Sequence, residues 1–316
     1  MSVNEKIISI KKELAGTADQ LSSARKAENI NDPIDTYIMD HIAIFWSKLF
    51  IKLGIIPNVV TMLAMICGVC GAVLLALPDL GLNILGLVLL FHNALFDACD
   101  GQVARLTKKY SQLGRMLDGL SDGTVYAALF VAGIVRAWNA GPFGSEVVWR
   151  AILIGGAALA YYLYIVQSQL PDYFKNLHMF MIDNSHGNEL SRVKHIKKAL
   201  DSAPPKSFEK FSQYCYFNYT SMQERRAPKA QKMLDLIEVY GKSDEVRAAF
   251  AAKSRKLVML TNLMTFNLRT IVLIISYFCH VELAGILFDI LILEPIRLVL
   301  LKKYENLCEE VTPLIQ

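Results

Sequence analysis

Between Asp97 and Asp122 the chain reads DACDGQVARLTKKYSQLGRMLDGLSD. Asp97, Asp100, Gly101, Ala104, Arg105, Gly114, Asp118 and Asp122 stand in it at offsets that helices can use. On a helix turning about 100° per residue, the first five fall within an arc of roughly 140°. Gly114, Asp118 and Asp122 step by i, i+4, i+8 and share a second face. Two helices joined by a short polar loop would gather the four carboxylates around one small space. Such groups repel one another and resist losing water. A divalent cation removes both difficulties, and an all-oxygen set without Cys or His points to Mg2+ or Mn2+. Those ions are held by a few carboxylates together with substrate phosphates. The glycines leave bare backbone for something planar or bulky to approach, and Arg105 suits a phosphate.

The elements that carry these faces are long and apolar. Apolar residues make up 53% of the 316 and mean hydropathy is +0.34, which excludes an ordinary soluble domain. The fold expected is all-α: a polytopic membrane protein with six transmembrane helices, an interfacial amphipathic helix before them, and a helical cytoplasmic insert between spans four and five. Residues 1–32 read as a polar N-terminal extension with no signal-peptide pattern, in which Ile7, Ile8, Ile10 and Leu14 form a weak amphipathic face. Residues 33–56 read as the interfacial helix, anchored by Phe45, Trp46 and Phe50. Residues 57–170 hold spans one to four, at 59–77, 80–106, 114–135 and 151–170. The insert, 171–256, has helix-like runs at 190–200, 207–224, 228–240 and 244–256, broken at Pro204-Pro205 and near Gly241. Residues 257–303 hold spans five and six, at 257–279 and 283–301, and 304–316 form a tail. Gly119 and Gly123 give a small-x3-small spacing of the kind that lets helices pack closely.

Charge sets the orientation. Net charge is +4, and residues 171–256 carry 16 Lys/Arg against 10 Asp/Glu. Loops 78–83, 137–149 and 279–282 have no Lys or Arg, while Lys108, Lys109, the insert, Lys302 and Lys303 lie on the other side. The positive-inside rule puts both termini, the insert and the Asp-rich helix ends in the cytoplasm. A basic segment beside a membrane reads as contact with an anionic leaflet; no recognition motif accompanies it, so nucleic acid is not an expected partner. Cys67 and Cys70 form a CxxC inside an uncharged apolar run and read as small apolar side chains. His178, His186 and His195 have no metal-ligand spacing and read as surface histidines.

The pattern D-x2-D-G-x2-A-R-x8-G-x3-D-x3-D resembles the signature of the CDP-alcohol phosphotransferases (CDP-alcohol phosphatidyltransferases), with every motif position filled. The resemblance implies an integral membrane enzyme of phospholipid synthesis that cleaves a CDP-linked donor at its pyrophosphate and releases CMP as an alcohol attacks the other phosphate. It implies that Asp97, Asp100 and Asp118 hold the metal ions with Asp122 also at the site, and that Asp122 is the general base. It implies too that Gly101, Ala104 and Gly114 make room for the nucleotide and that Arg105 binds its phosphate. Pro57-Asn58-x-x-Thr61 matches a turn of the same family, which implies that Thr61 lies near the nucleotide phosphates; a proline-started helix whose Thr bonds its own backbone fits equally. The same likeness implies a homodimer in the cell (inner) membrane, with membrane lipids and a CDP-linked lipid or alcohol as partners.

The signature does not say which substrate carries the lipid. Arg269, Asp289, Glu294 and Arg297 lie within the last two spans. Charges at that depth are either paired or functional. Read as functional, Arg269 or Arg297, helped by Asn262 and Asn267, holds an anionic acceptor such as inositol phosphate or glycerol phosphate, which makes CDP-diacylglycerol the donor. The other enzyme reading is a CDP-choline or CDP-ethanolamine:diacylglycerol phosphotransferase. A cation-binding transporter or an inactive scaffold needs neither Gly101, Ala104, Arg105 nor Gly114 in register with four aspartates.

Overall fold

A computed structural model describes residues 39–109, 112–141, 144–182, 190–205, 207–281 and 283–315. Every regular element among them is helical, with no strand. The extension 1–32, the first residues of the expected interfacial helix, and His186 lie outside the described residues. The chain divides into two compact units, Met1–Ala128 and Leu129–Gln316.

The first unit contains α1 (Asp40–Lys52), α2 (Pro57–Leu75), α3 (Leu80–Thr107) and the start of α4 (Gln112–Ala140). Local chemistry sets the ends. Pro57 opens α2 where its missing N–H costs nothing. The Asp79 side chain accepts from Leu82 N at 2.8 Å and caps α3. At the far end Lys108 turns left-handed (φ 55°), and the Lys108 and Lys109 amides return to the Arg105 and Ala104 carbonyls. Packing of α2 on α3 is backbone to backbone: a Cβ at Gly71 would meet Gly86 O at 2.8 Å, and one at Gly86 would meet Gly71 O at 2.8 Å. A Cβ at Gly68 would strike both Val125 methyls, at 2.4 and 2.7 Å, so α4 closes on the same helix. Close packing therefore comes from these glycines and not from the expected Gly119, which has nothing within 4 Å of a built Cβ.

Helix α1 buries Asp40, Ala43, Ile44, Ser47 and Phe50. Phe50 and Trp46 pack against Phe96 of α3, with ring centroids 5.5 and 5.8 Å away. Of the three aromatics expected to anchor α1 in lipid, Phe50 is core, Trp46 is half-buried and Phe45 is exposed. One side of α1 thus packs on α3, while Ile42, Phe45, Leu49 and Leu53 stay exposed.

The second unit holds the rest of α4, then α5 (Glu146–Ile182), α6 (Val193–Ser202), α7 (Phe208–Arg226), α8 (Pro228–Tyr240), α9 (Asp244–Thr261), α10 (Phe266–Phe278), α11 (Leu283–Leu287) and α12 (Glu294–Val311). A 3-10 turn at Asn262–Met264 joins α9 to α10, and a π-helical segment, Phe288–Leu293, joins α11 to α12. Helix α5 does not stop where its apolar run ends but passes through Pro171. On that extension Phe174 stacks on Tyr304 at 3.6 Å, and His178 Nδ1 lies 2.7 Å from Ser254 Oγ. His178 is thus buried, contrary to the surface position expected for it, because α9 packs on α5 beyond Pro171. Arg192 ties the short helices together through Asp235 at 2.8 Å, Glu238 at 3.1 Å and Glu224 at 3.4 Å. The Glu305 carboxylate accepts from the Lys229 and Ala230 amides at 2.8 and 3.2 Å, filling the open donors of α8.

Among the described residues five helical stretches are long and apolar enough to cross a membrane: Pro57–Leu75, Leu80–Thr107, Met116–Ala140, Glu146–Ile182 and Asp244–Phe278. Large apolar side chains such as Met62, Ile66, Ile84, Val131 and Ile154 stand exposed on them. Contiguous exposure of that kind belongs to a lipid-facing surface. The protein is an all-α polytopic membrane protein. The sixth expected span, 283–301, is not one continuous α-helix: the π segment interrupts it, and Asp289, Glu294 and Arg297 fall inside it.

Candidate active site

The motif carboxylates come from the end of α3 and the first turns of α4, both in the first unit. One oxygen each from Asp97, Asp100 and Asp118 lie within 4.8 Å of one another. Asp100 is buried, Asp97 half-buried and Asp118 exposed, so the cluster opens outward on the α4 side. Asp122, one turn further along α4, is half-buried and lies outside this set of three.

Asp100 is held from behind. Thr61 Oγ1 donates to Asp100 Oδ2 at 2.5 Å and also sits 3.2 Å from Pro57 O. The threonine expected beside the nucleotide phosphates therefore meets a carboxylate, and its contact with Pro57 O is the local backbone bond of the simpler reading. At Gly101 the bare backbone is already covered. A Cβ there would lie 3.1 Å from Arg105 Nη1 and 3.6 Å from Arg105 Cζ, so the guanidinium rests over the glycine one turn below. Ala104 and Gly114 are half-buried on the same two helices.

A polar link that sequence reading missed joins α1 to the motif helix. Gln102, fully buried, donates from Nε2 to Asp40 O and Asp40 Oδ1, both at 3.2 Å. Its Oε1 accepts from Ser47 Oγ at 3.2 Å. Asp40 and Ser47 are seven residues apart, two turns on one helix face, between Ala43, Ile44 and Phe50. That spacing of polar residues on an otherwise apolar face was the available signal. Since an amide stranded in this core would cost about 1–3 kcal/mol, the link fixes the register of α1 on α3 as well as binding it.

Arg269 and Arg297 lie in the second unit, each beside an acid. Arg269 is fully buried, with Nη1 on Asp289 Oδ1 at 2.8 Å, Nε on Met264 O at 3.1 Å, and Cζ 5.4 Å from the Tyr164 ring centroid. Arg297 grips Glu294 from Nε and Nη2 at 2.9 and 2.7 Å. The side chain of Asn267 lies outside the described residues.

Three oxygens gathered at this separation by two helices fit a hard divalent cation: the set is all-carboxylate, and one side is open for a substrate phosphate. The family model for CDP-alcohol phosphatidyltransferase matches residues 54–176, a stretch that includes Thr61, all four aspartates and the helices that carry them. Over that stretch the chain is similar to the CDP-alcohol phosphatidyltransferases. Comparisons with curated proteins and with solved structures gave no match.

Proposed function

We propose that this chain is a CDP-alcohol phosphatidyltransferase that moves the phosphatidyl group of CDP-diacylglycerol to a small polar alcohol, inositol phosphate or glycerol phosphate in class, and releases CMP. The observation that carries the reading is the Asp97–Asp100–Asp118 cluster inside the family-matched stretch. Asp97, Asp100 and Asp118, with Asp122 beside them, would hold Mg2+ or Mn2+. The bound cation would neutralise charge on the pyrophosphate and on departing CMP. Asp122, outside the tight cluster, takes the proton of the alcohol. The alcohol oxygen forms its bond to the lipid-side phosphorus, and CMP leaves with the electron pair of the broken P–O bond. Ala104, Gly114 and Gly101 line the nucleotide's approach, and Arg105 meets its phosphate. Thr61 acts on the donor through Asp100, whose carboxylate it orients.

Arg269 and Arg297 remain the proposed contacts of the acceptor's phosphate, which would have to compete with Asp289 or Glu294 for them. The loop charges favour a site opening to the cytoplasm in the cell (inner) membrane. The insert, 171–256, lies on that side, and a homodimer completes the reading. Purified protein given CDP-diacylglycerol, Mg2+ and a panel of alcohols tests it, with lipid products identified by mass. One phosphorylated alcohol should give CMP and the matching lipid, excess chelator should stop it, and Asp122→Asn should abolish turnover while CDP still binds. Product only from CDP-choline and diacylglycerol would reverse the substrate assignment, and full activity in chelator would remove the metal.

A further inference from the structure

Arg226 ends α7 with its charge uncompensated. Its Nη1 donates to Gln169 Oε1 at 2.6 Å, and no ion pair to it is present among the described residues. The charges it faces are Arg297 and Glu294. Glu294 is taken up by Arg297 and by Gln167 Nε2 at 3.0 Å, which leaves the three charges net positive. Burial, and after it the charge of Arg297, pushes the Arg226 pKa down.

Arg226 lines a small recess, with about 10 Å³ of enclosed space, that opens outward and has Val166, Leu170 and Leu301 as an apolar wall. Gln169 and Leu170 stand where the apolar run of α5 gives way to Asp172 and Lys175. For a helix that crosses a bilayer, that is headgroup level.

We propose that this pocket, where α5, α7 and α12 meet, binds a phosphate group, with Arg226 making the charge-assisted contacts. A guanidinium presents paired N–H donors that match phosphate oxygens. A lipid headgroup would lay its chain on Val166, Leu170 and Leu301; a soluble phosphate would enter from the open side. Either would bridge α7 of the insert to α5 and α12.

Thermal unfolding of the full-length protein in detergent tests this with three additions: phosphatidylglycerol, phosphatidylcholine of the same chains, and inorganic phosphate. The expected result is a saturable rise in unfolding midpoint with phosphatidylglycerol, absent with phosphatidylcholine. Arg226→Gln should weaken the apparent affinity at least about tenfold, as loss of a charged hydrogen-bond pair implies. An equal response to inorganic phosphate, also lost in Arg226→Gln, assigns the site to soluble phosphate. The proposal is overturned if neither anion stabilises the wild type, or if Arg226→Gln responds as the wild type does. Should Arg226→Gln not fold, Arg226→Lys is titrated instead: it keeps the charge but not the fork, and unchanged affinity overturns the proposal. None of these readouts uses turnover, so they stand apart from the catalytic reading.

Discussion

Adding one methyl group at Gly68 should disable the enzyme from inside the helix packing. A Cβ there would lie 2.4 Å from Val125 Cγ2 and 2.7 Å from Cγ1, with Asn93 Cγ at 3.0 Å. Carbon atoms rest about 3.5–4.0 Å apart, so α4 must retreat from α2 by roughly 1 Å or more. Rotating Val125 gives no relief, because two methyls among three staggered positions always leave one of the blocked positions filled. Asn93 is pinned by its bond to Ala64 O at 3.0 Å. Overpacking of this kind costs about 1–3 kcal/mol in stability, which a protein of this size can survive.

The loss in activity should be larger than the loss in stability suggests. Val125 is three residues past Asp122 and seven past Asp118 on one helix, so the retreat carries both aspartates with it. Asp118 is within 4.8 Å of Asp97 and Asp100, and an ångström of misplacement in such a cluster costs about 100-fold. CMP release from CDP-diacylglycerol in proteoliposomes, with thermal unfolding in parallel, should show Gly68→Ala folded and down by about that factor. Val125→Ala removes both offending methyls, so Gly68→Ala/Val125→Ala should recover most of the activity. Two results would refute this account: a Gly68→Ala enzyme of near-normal turnover, or a double variant no better than the single.

Thr61→Val should raise the Mg2+ concentration needed for half-maximal turnover by about 10–100-fold, the usual effect of losing a residue that orients a metal ligand. If Thr61 instead touches the nucleotide, the donor KM rises and the Mg2+ dependence stays put. Arg269→Leu should destabilise by about 3–5 kcal/mol by taking the guanidinium away from the buried Asp289 carboxylate, and Arg269→Leu/Asp289→Leu should restore most of that in a thermal unfolding series. A double variant that is stable but has lost acceptor affinity would support Arg269 as an acceptor contact, and one with normal affinity would leave it a purely structural pair.

Much of the site was legible because helices repeat. Asp97, Asp100 and Asp118 share their space for the reason the spacing gives, and the helical, membrane-spanning class follows from uncharged apolar runs long enough to cross. What periodicity could not show is which neighbour fills each face. Gly119 has a packing glycine's spacing yet meets nothing, while Gly68, Gly71 and Gly86, read only as parts of apolar runs, hold the close contacts. Helix α1 is amphipathic, but lipid and a neighbouring helix both accept an apolar face. Only Asp40 and Ser47, waiting on that face for Gln102, point to protein. Pro171 marks the end of an apolar run without ending the helix, and so the burial of His178 on the extension was hidden.

Gly101 separates two explanations that the motif alone leaves merged. A glycine beside a metal-binding aspartate can leave room for a nucleotide, or it can leave room for Arg105, whose guanidinium occupies that space in the structure. A methyl at Gly101 would lie 3.1 Å from Arg105 Nη1, the far end of a flexible chain, so the guanidinium shifts by a few tenths of an ångström and the helix stays. Exchanging glycine for alanine within a helix favours folding by about 1 kcal/mol, so Gly101→Ala should be at least as stable as the wild type. If the glycine serves Arg105, Gly101→Ala should weaken donor binding in the wild type and have no further effect on Arg105→Ala, because the group it displaces is gone. If the glycine serves the nucleotide directly, its effect persists undiminished in Arg105→Ala. Donor KM across this four-member cycle decides between them: a coupling as large as the single Gly101→Ala effect supports the bed for Arg105, and strict additivity refutes it.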